Sequence, residues 1–387
     1  MFLKISLQMI SSLCFTSLVV ALQVSGATVC TRDRNVGVDI TQVSNLASSK
    51  TKSNWEWGTQ AQALLELSDP YVSVFSDIAF PNSGIPKQAT AGTTYAKRYI
   101  KTSGSTLTAA GVSAGDPASL GVSAILLGQS DSATYSAAAT RQVNELLNNV
   151  PRYSNNAISH RYDAVMLWSD SVYMVPPTLA YQAVAVKDQA LLREAVNQIS
   201  LYRDVLQNKN TGLWKHIAGS RTDAGEWSTG NGWVLGGIAR VLATIKHWPP
   251  SANWTKEQQQ LANYSKEIID GALKVGVESR TGLLRNYISS ASSFPEAAGT
   301  AMIAANVYRL AVLAPEIFAQ SKYLIWADTA RAAVFKSVGS GGALKPVVNP
   351  YKYTENAPYG DVSPEAQSFV VLLYVAYRDC ICADYCK

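Results

Sequence analysis

The chain has 387 residues and a formal net charge of +5, and charged residues make up only 16% of it. That charge is too small and too evenly spread to mark a nucleic-acid or anionic-membrane surface. The length exceeds one average domain but suits a single helical toroid or barrel, and no stretch after the first residues approaches the about 18 unbroken apolar residues of a membrane span.

Residues 1–26 read as a cleaved secretory signal. Lys4 provides a small basic start, 5–22 is largely apolar, and the small residues of 24–27 suit a signal peptidase. The expected mature chain is one domain over 28–387, secreted to the extracellular space. Cys14 leaves with the signal, so Cys30, Cys380, Cys382 and Cys386 remain. An even number in a secreted chain reads as two disulfides. Cys30 lies near the N-terminus and the others in the last eight residues, so at least one bridge is expected to tie the two ends of the chain; the three pairings stay open. No histidine lies near either cluster, which disfavours zinc. Two glycosylation sequons, at Asn253 and Asn263, fit the same route.

Helical periodicity dominates the rest of the chain. Residues 57–67 carry apolar positions at helical spacing and stop before Asp69-Pro70, and 95–100 suit a short helix. Asp116-Pro117 opens another helix running to 127, with Asp as N-cap and Pro at the first helical position. Helices are expected over 132–149, 171–186, 189–206, 230–245, 256–275, 297–313, 322–338 and 364–377, joined by long Gly-, Ser-, Asn- and Pro-rich loops. Strand-like alternation is confined to 282–287. Many helices, long loops at intervals and linked termini fit an all-α toroid whose inner-helix N-terminal ends line a pocket.

The stretch 160–180, HRYDAVMLWSDSVYMVPPTLA, carries the most chemistry. Asp170 stands where a polar, aromatic segment meets an apolar run, an N-cap position. Trp168, Tyr173 and Met174 crowd it, and a carboxyl held among aromatics has its pKa raised towards the working pH of a general acid/base. Each further tryptophan taken alone reads as core under a loop. Trp55, Trp214, Trp227 and Trp233 nevertheless recur beside helix starts, with His216 among them, which suits stacking on sugar rings. Glu296 marks another helix start. Three histidines without HxH or HExxH spacing, and a lone Gly230-Asn231-Gly232, give no metal or phosphate motif. No GxSxG elbow is present.

These pieces occur in one order: NWEWG at Asn54, GDPASLG at Gly115, the 160–180 stretch, TGLWKH at Thr211, EWSTGNGW at Glu226 and SPEAQSFV at Ser363. Together the chain resembles the unsaturated rhamnogalacturonyl hydrolases, secreted fungal type, related to unsaturated glucuronyl hydrolases. The resemblance implies an (α/α)6 barrel and a glycosidase that hydrates the C4–C5 double bond of an unsaturated uronic acid, without metal or organic cofactor. It places the acid/base on Asp170 and a second aspartate on Asp116. Trp168, His216, Trp227 and Trp233 fall on pocket positions, as do Trp55 and His160. Relatives carry Arg two residues after the tryptophan matched by Trp227, where it faces an acidic substrate; this chain has Thr229, with Lys215 and Arg161 as substitutes. The implied partner is an unsaturated uronyl oligosaccharide from pectin. Two rival readings use the same residues: an inverting α/α-toroid glycosidase acting on a saturated glycan through Asp170 and Asp116, and a carbohydrate-binding protein without turnover.

Overall fold

The computed structural model describes residues 36–109 and 111–387. The signal segment and Cys30 lie outside them.

Helices form where apolar residues recur every third or fourth position, and the width of that apolar stripe sorts them into two rings. Six helices are buried on nearly every face and form the inner ring: α2 (Asn54–Ser68), α4 (Gly121–Ser130), α6 (Ser171–Val186), α8 (Ser228–His247), α10 (Ala297–Leu313) and α13 (Pro364–Cys382). In α8 every side chain from Ser228 to Ile245 is buried. Each is backed by an outer helix: α1 (Ile40–Lys50), α3 (Ala91–Ala96), α5 (Ala133–Asn148), α7 (Gln189–Leu206), α9 (Thr255–Val275) and α12 (Ser321–Lys336); α11 (Pro315–Phe318) is a single turn. Outer helices bury one stripe only. On α7 this is Leu192, Ala195, Val196, Ile199, Tyr202 and Leu206, and its N-cap Asp188 accepts the Ala190 and Leu191 amides.

Packing runs α2–α4–α6–α8–α10–α13, and α13 returns to α2, so the ring closes. This is the (α/α)6 barrel expected from the sequence. Each outer helix runs back between two inner ones, so all inner N-terminal ends emerge at one mouth. The expected 116–127 helix divides: Asp116 to Leu120 is a 3-10 turn and α4 follows. The expected 282–287 strand is instead a loop held by single bridges, Trp227 to Tyr287 and Arg285 to Pro295. α1 is an element the periodicity reading misses.

Two packing details brace the inner ring. Pro176 and Pro177 sit inside α6, and Pro177 leaves the Tyr173 carbonyl without its helical donor. The buried Arg240 of α8 supplies one, Nη1 to Tyr173 O at 3.2 Å. At the closed end Arg309 is buried between Glu66 (2.6 Å) and Asp379 (2.5 Å). Cys380 is bridged to Cys386, and Cys382 is disulfide-bonded as well.

Candidate active site

Short backbone pairings knit the loops above the inner helices into a collar. β1 (Met166–Trp168) runs antiparallel to β2 (Ile217–Gly219), with Trp168 opposite Ile217 and Met166 opposite Gly219. Gly219 has φ +126, and a Cβ there would lie 2.4 Å from the Val165 carbonyl oxygen, so the pairing requires glycine. The register seats the Ser169 amide on the His216 carbonyl (2.9 Å). On one side, the Ala114 amide donates to the His160 carbonyl (2.7 Å); on the other, Ile217 and Asp223 exchange backbone hydrogen bonds (2.9 and 3.1 Å). Asp116, His160, Trp168, Asp170, His216 and Trp227 are thereby gathered at one mouth, although 111 residues separate the first from the last.

Asp170 is the N-cap residue of α6, yet its side chain makes no capping bond. The carboxylate is therefore uncommitted to the helix. Oδ2 accepts from the Ser169 hydroxyl (3.1 Å) and lies 3.6 Å from His216 Nε2, with the side chain 17% exposed. His216 Nδ1 meets Asp223 Oδ2 at 2.9 Å. Asp116 faces His160 Nε2 at 3.5 Å, and its own amide donates to Ser113 Oγ (3.1 Å). Burial pushes the Asp116 carboxyl up; His160 and Ser113 oppose this, and the charge of Asp170 adds to it. Each aspartate thus faces one histidine, and the two carboxyls feel one another.

Aromatic rings wall the space. Trp168 stacks on His160 (centroids 5.1 Å, 23°) and meets His216 edge-on (5.4 Å). Tyr353, from the loop between α12 and α13, stands edge-on to both Trp168 (5.5 Å) and His216 (4.6 Å). Trp227 lies 4.4 Å from the His216 ring and donates Nε1–H to Asn286 Oδ1 (2.8 Å). Trp55 lies across the ring on α2 and donates Nε1–H to Glu365 Oε2 (3.1 Å). Trp233 is placed deeper along α8, buried between Tyr173 (4.7 Å) and Phe369 (4.5 Å). Thr229 is buried in the first turn of α8, and its hydroxyl has no partner. Of its suggested substitutes, Arg161 is held by Asp163 through Nε and Nη2 (2.8 Å each) but still acts on Asp116. Lys215 is half-buried. Arg221, absent from the sequence reading, is exposed, and with Arg161 it acts on Tyr353.

Three buried glutamates head inner helices. Glu56 closes a capping box on α2 and accepts the Lys52 and Ser53 amides and the Tyr351 hydroxyl (2.8, 3.0 and 2.5 Å). Glu296 caps α10, accepting Ala298, Gly299 and Val348 amides (2.9, 2.6 and 3.2 Å). Glu365, in the first turn of α13, has only the Trp55 donor, and its Oε1 is buried without a partner. Burial, then the charges of Asp170 and Glu56, push its carboxyl well above the ordinary range. Sequence reasoning missed Glu365, Asp223, Tyr287 and Tyr353. The only signal for Glu365 is an acidic residue on a helix too apolar to leave any face in water.

The sequence matches the family described as Glycosyl Hydrolase Family 88 over residues 42–373. The chain belongs to that family. It is a glycoside hydrolase. A direct comparison with curated proteins finds no match. Among solved structures, a possible family 105 member from Salmonella enterica is similar to this family 88 chain at 16% identity and a TM-score of 0.67, covering 88% of this chain and 92% of that one. A family 105 glycoside hydrolase from C. acetobutylicum gives 15% and 0.67 over 88% and 99%. An unsaturated glucuronyl hydrolase specific for heparin gives 12% and 0.61 over 91% and 98%. At these identities the likeness establishes the shared barrel.

Proposed function

We propose that the chain is a secreted hydrolase of unsaturated uronyl oligosaccharides. Its substrate is the sugar that lyases leave at the non-reducing end of pectin-derived rhamnogalacturonan fragments. The observation that carries this reading is the Asp170 carboxylate. It heads an inner helix without capping it, remains partly open to solvent, and faces His216 inside an aromatic mouth. Membership of family 88 supports the class of substrate, as does the unsaturated glucuronyl hydrolase among the proteins of similar fold.

Such a sugar is a vinyl ether: C5 carries the ring oxygen and is doubly bonded to C4. Protonated Asp170 gives its proton to C4, and positive charge develops over C5 and the ring oxygen. Water adds to C5, and its proton passes to the Asp170 carboxylate, restoring the acid. The hemiketal so formed opens and expels the rest of the oligosaccharide from C1. Asp116, held opposite His160, positions the sugar or the water. Trp168 and Tyr353 offer ring faces and edges to the apolar side of the sugar. Arg161 and Arg221 supply positive charge for the uronate where Thr229 replaces the family arginine. The chemistry uses no metal or organic cofactor.

The test follows the ultraviolet absorbance of the conjugated double bond when lyase-generated unsaturated rhamnogalacturonan disaccharide meets the purified protein. The expected result is a decay that Asp170→Asn abolishes while circular dichroism and melting stay unchanged. No decay on this sugar or on unsaturated glucuronyl analogues would refute the reading and direct attention to saturated glycans.

A further inference from the structure

His216 presents one nitrogen to Asp170, and the other is already committed. Asp223 follows β2 in a tight turn, pinned by its two backbone bonds with Ile217. Its carboxylate is surrounded by donors: His216 Nδ1 at 2.9 Å, the Tyr287 hydroxyl at 2.6 Å and the Gly225 amide at 3.0 Å. The His216 ring has little freedom to turn. It is walled by Trp168, Trp227 and Tyr353 and anchored through both backbone groups, its amide on the Gly225 carbonyl and its carbonyl under the Ser169 amide (2.9 Å each). Nε2 is buried and without a hydrogen-bond partner, 3.6 Å from Asp170 Oδ2.

We propose that Asp223 is a positioning residue for the acid/base step, fixing His216 with its hydrogen on Nδ1 so that Nε2 meets Asp170 as an acceptor. This rests on Asp170 being the acid/base of the proposed reaction. A carboxylate accepts from imidazole only where the ring nitrogen carries hydrogen, and the hydrogen-bond partners of a histidine assign its tautomer. Burial would push Asp223 up, but the bonds from His216 and Tyr287 outweigh it and hold the group below the ordinary carboxylate range. Asp223 is thus a fixed anion.

The consequence lies in the proton count at the mouth. With hydrogen on Nε2, a neutral His216 would donate permanently to Asp170 and keep it a carboxylate, unable to protonate C4. With hydrogen on Nδ1, the Asp170–His216 pair holds one more proton, either as Asp170 carboxyl and neutral imidazole or as carboxylate and imidazolium. That proton goes to C4, and the attacking water returns one to Asp170, so the pair ends as it began. The negative charge of Asp223 favours keeping the proton. Besides Asp223, the ionisable groups that act on the pair or on Asp223 are Asp116 before α4, Tyr202 on α7, Tyr287 in the loop before α10, Tyr353 in the loop before α13 and Glu365 at the start of α13. Arg221 and Arg161 act on Tyr353.

The test has two arms. Nitrogen-15 NMR of the ligand-free protein, which has three histidines, is expected to show His216 protonated on Nδ1 and to show it switch to Nε2 in Asp223→Asn. In kinetics, Asp223→Asn is expected to lose about 100-fold or more in kcat, by analogy with a triad aspartate changed to asparagine. KM should stay within a few-fold and the alkaline limb of the pH profile should move to lower pH. Tyr287→Phe keeps the carboxylate, so it is expected to keep the Nδ1 tautomer and most of kcat. If Asp223→Asn does not fold, the nitrogen-15 spectrum of the unmodified protein decides the proposal, with hydrogen on Nδ1 supporting it and hydrogen on Nε2 overturning it. Hydrogen on Nε2 in the unmodified protein overturns the proposal, as does an Asp223→Asn variant with unchanged kcat and pH profile. If the NMR result holds while the unmodified protein turns over no unsaturated uronide, the Asp223 assignment stands and the reading of the reaction falls.

Discussion

Replacing Glu365 by glutamine isolates the energetics of a buried mouth carboxyl that the fold leaves half-satisfied. Glu365 is 3% exposed, accepts a single hydrogen bond from Trp55, and is pushed up by burial and by the charges of Asp170 and Glu56. In the folded protein it therefore holds a proton at pH values where the unfolded chain, with an ordinary value of 4.5, has lost it. The native state then binds more protons than the unfolded state, so this residue's contribution is fully present below pH 4.5 and declines as pH rises towards the folded pKa. The decline is about 1.4 kcal/mol per pH unit for one proton. Glutamine has nearly the shape of the neutral acid and does not titrate. The stability of Glu365→Gln relative to the unmodified protein is therefore expected to increase by about 1.4 kcal/mol for each unit above pH 5, flattening where the folded carboxyl ionises. Asp116 and Glu296 are also raised by burial, but both proteins carry them and their slopes cancel in the difference. Denaturant unfolding followed by tryptophan fluorescence at pH 5, 6 and 7 measures it. A difference independent of pH, or one that falls with pH, would refute the protonated assignment.

Two other substitutions probe the same mouth. Gly115→Ala would set a Cβ 2.7 Å from His160 Nδ1 and 2.8 Å from Ser171 Oγ. Displacing the ring that faces Asp116 is expected to lower kcat/KM by about 10–100-fold with a much smaller change in melting temperature, and unaltered kinetics would refute this. Thr229→Val removes a buried hydroxyl without a partner and is expected to raise unfolding stability by about 1 kcal/mol; a loss of that size would show that the hydroxyl is bonded.

The helices were legible because the period of their apolar residues is a local property. α1 escaped because its buried face is only Ile40, Val43, Ser44 and Ala47, too thin and polar a stripe to stand out. β1 and β2 escaped for a different reason. Three residues carry no readable alternation, and each strand exists only through a partner about fifty residues away. The site divides along the same line. Asp170 could be singled out because polar sequence meets an apolar run there. Asp223 and Tyr287 lie in loops with no period and meet only when those loops cross above α8. Glu365 reads in sequence as an ordinary first-turn acid that favours the helix dipole; only closure of the ring sets it beneath Trp55.

The mouth also explains why six helix starts do not make six equivalent acids. Every inner N-terminus offers free amides and favours a carboxylate, so acidic residues collect there for structural reasons alone. Glu56 and Glu296 take backbone amides at their helix starts, and the Tyr351 hydroxyl fills the second oxygen of Glu56. Asp170 occupies the same kind of position on α6 but leaves the amides alone and turns its carboxylate to His216. The Arg240 bond to the Tyr173 carbonyl and the seating of the Ser169 amide on the His216 carbonyl hold that turn of α6 without help from a cap. Because other groups secure the helix, the carboxylate is free for chemistry. Acidity at a helix start is therefore weak evidence for catalysis in this barrel: Glu365 also lacks backbone donors but is buried beneath Trp55, whereas Asp170 lacks them and stays partly open to solvent.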